Sequence, residues 1–175
     1  MRHKKLIVLS FFVVFAAALL CSCTFPPEYV SKSDTEKEIL TLMELINSED
    51  KEQLFDHFSD YIKENYEENT KSQIDKLFSA IEGKIVSHDN PKSLGYSHET
   101  VNSGDITLYH SSPDVLNVIT EGGQTLSFQF SYRVIDDEFP ENVGITQIVI
   151  FNKTEDSYYG DVVAEVGGEY KTKEQ

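Results

Sequence analysis

The chain has 175 residues, 30 acidic and 15 basic, and its net charge of −15 repels nucleic acid and anionic lipid head groups. Its two cysteines, Cys21 and Cys23, both close a hydrophobic N-terminal run, so the chain beyond them has no internal disulfide, thiolate nucleophile or thiolate metal ligand. Stability must come from a core, and the 152 residues from Thr24 to Gln175 suffice for one domain.

The stretch "MRHKKLIVLSFFVVFAAALLCSC" has a basic start, an apolar run from Leu6 to Leu20 and small residues before cysteine, the pattern of a secretory signal. The apolar run falls short of the roughly 20 residues that span a bilayer. Leu20-Cys21-Ser22-Cys23 resembles the bacterial lipobox, with Cys23 the better acceptor because small Ser22 precedes it where bulky Leu20 precedes Cys21. The resemblance implies a diacylglyceryl group on the Cys23 thiol and a new amino group open to acylation. Two or more acyl chains anchor stably where one is marginal. Residues 1–22 then read as a lipoprotein signal peptide, palmitate-type lipid sits on Cys23, and Cys21 leaves with the signal. Loss of Arg2, Lys4 and Lys5 leaves 12 basic residues against 30 acidic, a net charge of −18. Such a charge serves solubility and leaves room for a cationic partner or divalent cations.

Residues 23–32 carry adjacent Pro26 and Pro27 and read as an extended, lipid-anchored tether. Three helices are then expected. Ser33 with Glu36 forms a candidate capping box ahead of Ile39, Leu40, Met43 and Ile46. Asp50 with Gln53 precedes Leu54, Phe55, Phe58, Tyr61 and Ile62. Thr70 with Gln73 precedes Ile74, Leu77, Phe78 and Ile81, with Gly83 as the helix-ending glycine.

The second half reads as strands. "TLSFQFSYRV" sets Leu126, Phe128, Phe130, Tyr132 and Val134 on one face and Ser127, Gln129, Ser131 and Arg133 on the other. "GITQIVIFN" and "SYYGDVVAEV" add two strands, and "KIVSH", "GYSHETV" and "DITLY" are weaker candidates between turn-rich segments. Helices followed by strands predict an α+β domain over 33–170, three N-terminal helices on a curved, mostly antiparallel sheet, then a disordered tail over 171–175.

The lipobox, "NSEDKEQLFDHFS", "AIEGKIVSHD" and "VGITQIVIFN" together resemble an uncharacterised lipoprotein family of Gram-positive gut bacteria, known as domain of unknown function 5104. That family is similar to the nuclear transport factor 2-like, cystatin-like fold, a curved sheet wrapping helices into a cone. The resemblance implies a fold and a cell-membrane, extracytoplasmic location, and carries over no catalytic residue.

A cone of this kind predicts an apolar pocket between sheet and helices, with Phe55, Phe58, Tyr61, Phe128, Phe130 and Tyr132 as candidate lining and Phe78 beside them. The plainer reading of these stripes is core packing. Proton-transfer candidates are His57 with Asp60, three apart on one helix, and His88 with Asp89. The former pair lies off the apolar stripe and is expected at solvent. Metal-ligand types occur at His88, Asp89, His98, Glu99 and His110 without fixed zinc spacing. Asp136, Asp137, Glu138 and Glu141 cluster in "IDDEFPEN" but lack the alternation and glycine of a calcium loop. No phosphate-binding, dinucleotide or serine-elbow motif is present, and no cofactor or metal is expected. The functional expectation is a membrane-anchored, non-enzymatic binding or accessory domain for an envelope protein, peptide or small molecule, the alternative being proton-transfer or hydrolytic chemistry in the cone. Cys23→Ala is expected to move the protein from the pelleted membrane to the soluble fraction, and continued retention in the pellet would overturn the anchor.

Overall fold

The structure, a computed structural model, describes residues 32–93 and 97–173. Cys23, the signal and the Pro26-Pro27 tether lie outside them. The described residues form an α+β domain of four α-helices and a seven-stranded, unclosed antiparallel sheet. The helices are α1 (Lys32–Ser48), α2 (Lys51–Asp56), α3 (Asp60–Asn65) and α4 (Glu67–Ala80). The strands are β1 (Ile85–Ser87), β2 (Ser97–Asn102), β3 (Asp105–Ser111), β4 (Asp114–Thr120), β5 (Thr125–Asp136), β6 (Gly144–Asn152) and β7 (Val162–Gly167). Among the described residues no helix is long and apolar enough to cross a membrane.

Strand β5 is the spine. Its first half pairs with β4 and its second half with β3 along one edge, while β6 pairs along the other. β1 extends the sheet from β4, β2 from β3 and β7 from β6. The expected alternation holds where the helices cover the sheet: Leu126, Phe128 and Phe130 are fully buried against Ile39, Leu42, Met43 and Ile46 of α1 and Ile74 and Leu77 of α4. On α1 the buried stripe runs through Leu42 where Leu40 was expected, since 39, 42, 43 and 46 complete one helical face.

The single helix expected across Leu54 to Ile62 is two helices. After α2, the Phe58 N–H turns back to the Phe55 carbonyl at 3.0 Å, and the chain leaves the helix to pair with the start of β6. There Ser59 N–H donates to the Ile145 carbonyl at 2.9 Å and Ile145 N–H to the His57 carbonyl at 3.1 Å. Ser59 Oγ then accepts from Ile62 N–H and caps α3, while Asp50 caps α2 as its spacing with Gln53 predicts. The break drives Phe58 into the core at 2% exposure. The approach needs a glycine opposite: Gly144 has φ +125°, and a Cβ there would lie 3.0 Å from the Ser59 nitrogen.

Three other caps differ from expectation. Helix α4 starts at Glu67, so Thr70 is an internal, fully buried residue, and Gln73 Oε1 accepts from Gly167 N–H at 2.9 Å to tie α4 to the end of β7. Gly83 lies beyond the extended C-cap Ile81 and takes φ +79° to pass Glu121 in the β4–β5 turn. Ser33 lies within α1. Residues 171–173, expected in a disordered tail, are fastened: Lys171 N–H donates to Asn142 Oδ1 at 2.8 Å, and Asn142 Nδ2 donates to the Lys171 carbonyl at 2.9 Å. Phe58→Ala should cost about 3–5 kcal/mol of unfolding free energy, and Gly144→Ala about 1 kcal/mol or more through strain at positive φ. Both are read from urea denaturation midpoints.

Candidate functional site

The sheet has a second face, away from the helices, and the functional question falls there. Register places His98 opposite His110 and His110 opposite Arg133, so these three side chains form a row across β2, β3 and β5. Ser131 pairs with Gln147 of β6 beside that row. The row floors a cleft of about 340 Å³, walled by Leu108, Thr146, Gly168 and Tyr170. An adjoining hollow of about 720 Å³ shares Leu108, Arg133 and Tyr170 and extends under residues 171–173.

Arg133 is one of two arginines in the chain, the other being Arg2. Its Nη1 donates to Asp136 Oδ2 at 2.8 Å in an ion pair whose side chains are 15% and 4% exposed. Residues three apart on a regular strand face opposite ways, which would forbid this pair. The register shift opposite Tyr109 and His110 makes Val134 an extra residue in β5, and this bulge brings Asp136 round to the Arg133 side. Asp136 also accepts from Asn142 Nδ2 at 3.1 Å and Phe139 N–H at 3.0 Å. Burial alone would raise its carboxyl; the bonds from Asn142, Phe139 and Arg133 outweigh it and hold the group below the usual carboxylate value. The Tyr170 ring lies over the guanidinium, its centroid 4.7 Å from Cζ.

His110 is half-buried, with Nε2 3.1 Å from Ser112 Oγ. Burial, Arg133 and His98 all push its imidazole below the ordinary histidine range, so it is neutral at pH 7. A serine beside a histidine suggests nucleophilic chemistry, but His110 Nδ1 has no partner and so no carboxylate orients the ring. Two buried nitrogens here, His110 Nδ1 and Arg133 Nε, have no hydrogen-bond partner.

Of the residues singled out in the sequence, His98 and His110 line the cleft and Asp136, Asp137 and Glu138 the adjoining hollow, while the others lie elsewhere. Phe55, Phe58, Phe128 and Phe130 are in the core, and none lines these two hollows. Tyr61 is half-buried and tilts against Tyr66 at 5.9 Å. Tyr132 is half-buried on the helix side, its phenol pushed up by burial and by Glu38. His57 and Asp60 separate: His57 Nδ1 lies 2.6 Å from Glu38 Oε1, and exposed Asp60 pairs with Lys63 at 2.8 Å. His88 Nδ1 bonds the Asp89 carbonyl at 2.8 Å, and Asp89 Oδ2 accepts from Asn117 at 2.9 Å. In "IDDEFPEN", Glu138 pairs with Lys173 at 2.7 Å and Glu141 with Lys171 at 2.6 Å, so with Asp136 three of its carboxylates already have cations. Among the described residues no three His, Cys, Asp or Glu side chains converge as a metal site.

Stability should fall in two stages as pH drops. Because the His110 pKa is depressed in the fold, the unfolded chain takes the proton first, and stability declines below about 6.5, the ordinary histidine value. Asp136, depressed by its bonds, contributes stability above its ordinary 3.8 that is lost as pH falls below it. His110→Gln should flatten the first stage and leave the second, as read from thermal midpoints against pH.

No curated protein matches the chain significantly. Residues 41–153 match the family described as Domain of unknown function (DUF5104), a span that takes in the His98–His110–Arg133 row and leaves out Tyr170. Since the match covers well over half of the sequence, the chain belongs to that family.

Proposed function

We propose that the protein is a lipid-anchored extracytoplasmic recognition domain, tethered to the cell membrane through Cys23, that takes a small molecule or short peptide in the cleft on the outer sheet face. The observation that carries the reading is the convergence of His98, His110, Ser131, Arg133 and Gln147 on one concave surface from four adjacent strands. Convergent polar groups on a rigid sheet, beside the apolar walls of Leu108 and Tyr170, are the general composition of a ligand site. The ion pair of Arg133 with Asp136 fixes one donor group in place before any ligand arrives.

The finer fold assignment belongs to the same proposal. Helices on one face, a long central strand paired on both edges, and bulges at every junction of the sheet support a nuclear transport factor 2-like, cystatin-like cone. In such a cone the usual pocket would sit on the helix side, where this chain places Phe58, Phe128 and Phe130 at full burial. Recognition therefore moves to the opposite face.

Amide and side-chain NMR of the Cys23→Ala protein, titrated with small-molecule fragments and short peptides, tests the site. Perturbations should concentrate at His110, Ser131, Arg133 and Gln147. Responses confined to the helices would overturn the cleft as the recognition surface.

A further inference from the structure

The proposed recognition role leaves the ligand's chemistry open, and the unsatisfied atoms in the cleft narrow it. Arg133 Nε and His110 Nδ1 belong to directly opposed residues on β5 and β3, line the same cleft, and are both buried without a hydrogen-bond partner. A guanidinium N–H is always a donor. In the tautomer in which Ser112 Oγ–H donates to His110 Nε2, the imidazole proton sits on Nδ1, and that atom is a donor too. Two neighbouring buried donors without acceptors are costly, and an oxygen acceptor placed between them removes the cost.

Resting on that recognition role, we propose that the cleft binds a carboxylate, with Arg133 and His110 as its donors and Tyr170 as the cover it displaces. Asp136 takes Nη1 and leaves the Nε edge of the guanidinium uncommitted, an edge whose planar fork matches a carboxylate. Hydrogen bonds from a charged donor to a charged acceptor are roughly twice as strong as neutral ones, which favours a carboxylate over an amide carbonyl. A single negative charge also fits the surroundings better than a phosphate dianion. Asp136 already lies against Arg133, and Glu165 stands at the rim, accepting from Gln147 Nε2 at 2.6 Å. Both donor atoms are shielded from solvent, and the ring over the guanidinium is that of Tyr170. The segment carrying Tyr170 follows Gly167 and Gly168, both at positive φ, and its lysines are held at Glu141 and Glu138 by exposed ion pairs of the weak, salt-screened kind. Lys171 stays fastened to Asn142 by its two backbone bonds, so the movement is that of the 48% exposed Tyr170 ring, which rotates off the guanidinium.

The test is calorimetric titration and NMR of the Cys23→Ala protein with benzoate and acetyl-glycyl-phenylalanine, against benzamide, the peptide's C-terminal amide and inorganic phosphate. The carboxylates should bind at the cleft at least about tenfold more tightly than their amides and than phosphate. Arg133→Gln paired with Asp136→Asn removes both charges together, so no buried ion is stranded, and should abolish that preference; Arg133→Lys should weaken it through loss of the planar fork. Tyr170→Ala should tighten carboxylate binding. Equal binding of acid and amide, or preference for phosphate, would overturn the carboxylate while leaving the cleft as the recognition surface. If benzoate and the peptide acid leave the cleft signals unmoved while other ligands shift them, the carboxylate fails and the recognition reading stands. Weaker binding by Tyr170→Ala would overturn the cover and make the ring a wall of the site.

Discussion

Everything in this domain is arranged around the pairing of β5. A strand of twelve residues bonded on both edges leaves no freedom of register, because a slip of one residue would turn Leu126, Phe128 and Phe130 to water and their polar neighbours to the helices. With that register fixed, the helices have one apolar surface on which to settle. The same constraint gives β5 two different neighbours on one edge, β4 first and β3 after. The change of neighbour occurs around Phe130, whose N–H donates to the Pro113 carbonyl between the two strands.

The outer face inherits its character from irregularities in that pairing. Were β5 regular to its end, Asp136 would point toward the helix side and Arg133 would stand alone in the opposite direction. The extra residue at Val134 puts acid and base together, and Asn142, fully buried, links that pair to the backbone of Lys171. One bulge thus organises the base of β5, the loop after it and the segment around Lys171.

Period and composition made much of this visible in advance. The alternation in "TLSFQFSYRV", the helical stripes around Ile39 and Ile74, and the Asp50 cap are local signals, and local signals survive folding. The division of the second helix was hidden because Phe58 satisfies helical spacing; what pulls it out is a pairing with Ile145, 87 residues away in sequence. Thr70 and Gln73 had the spacing of a cap but serve tertiary contacts, a burial and a tie to Gly167. The cleft was the least legible feature. Its residues come from β2, β3, β5, β6 and the C-terminal segment, and only register brings them together. The hints available were His98 and His110, read only as metal-ligand types, and the isolated arginine among small polar residues on the outer side of "TLSFQFSYRV".

An unclosed sheet has free edges, and each exposed row of peptide groups is a potential template for strand addition by another molecule. This sheet ends in β7 on one side and in β1 and β2 on the other. The three ends are blunted by different means. β1 is three residues long, too short to template much pairing. β2 is exposed throughout, but its sequence, SHETVN, is polar and interrupted by a register irregularity at Thr100–Val101. β7 is packed against α4 and ends at a glycine with φ +78° that turns the chain away. Resistance to edge-to-edge aggregation is thus distributed among length, polarity and cover, and a substitution that removed one of them would leave the other two edges protected.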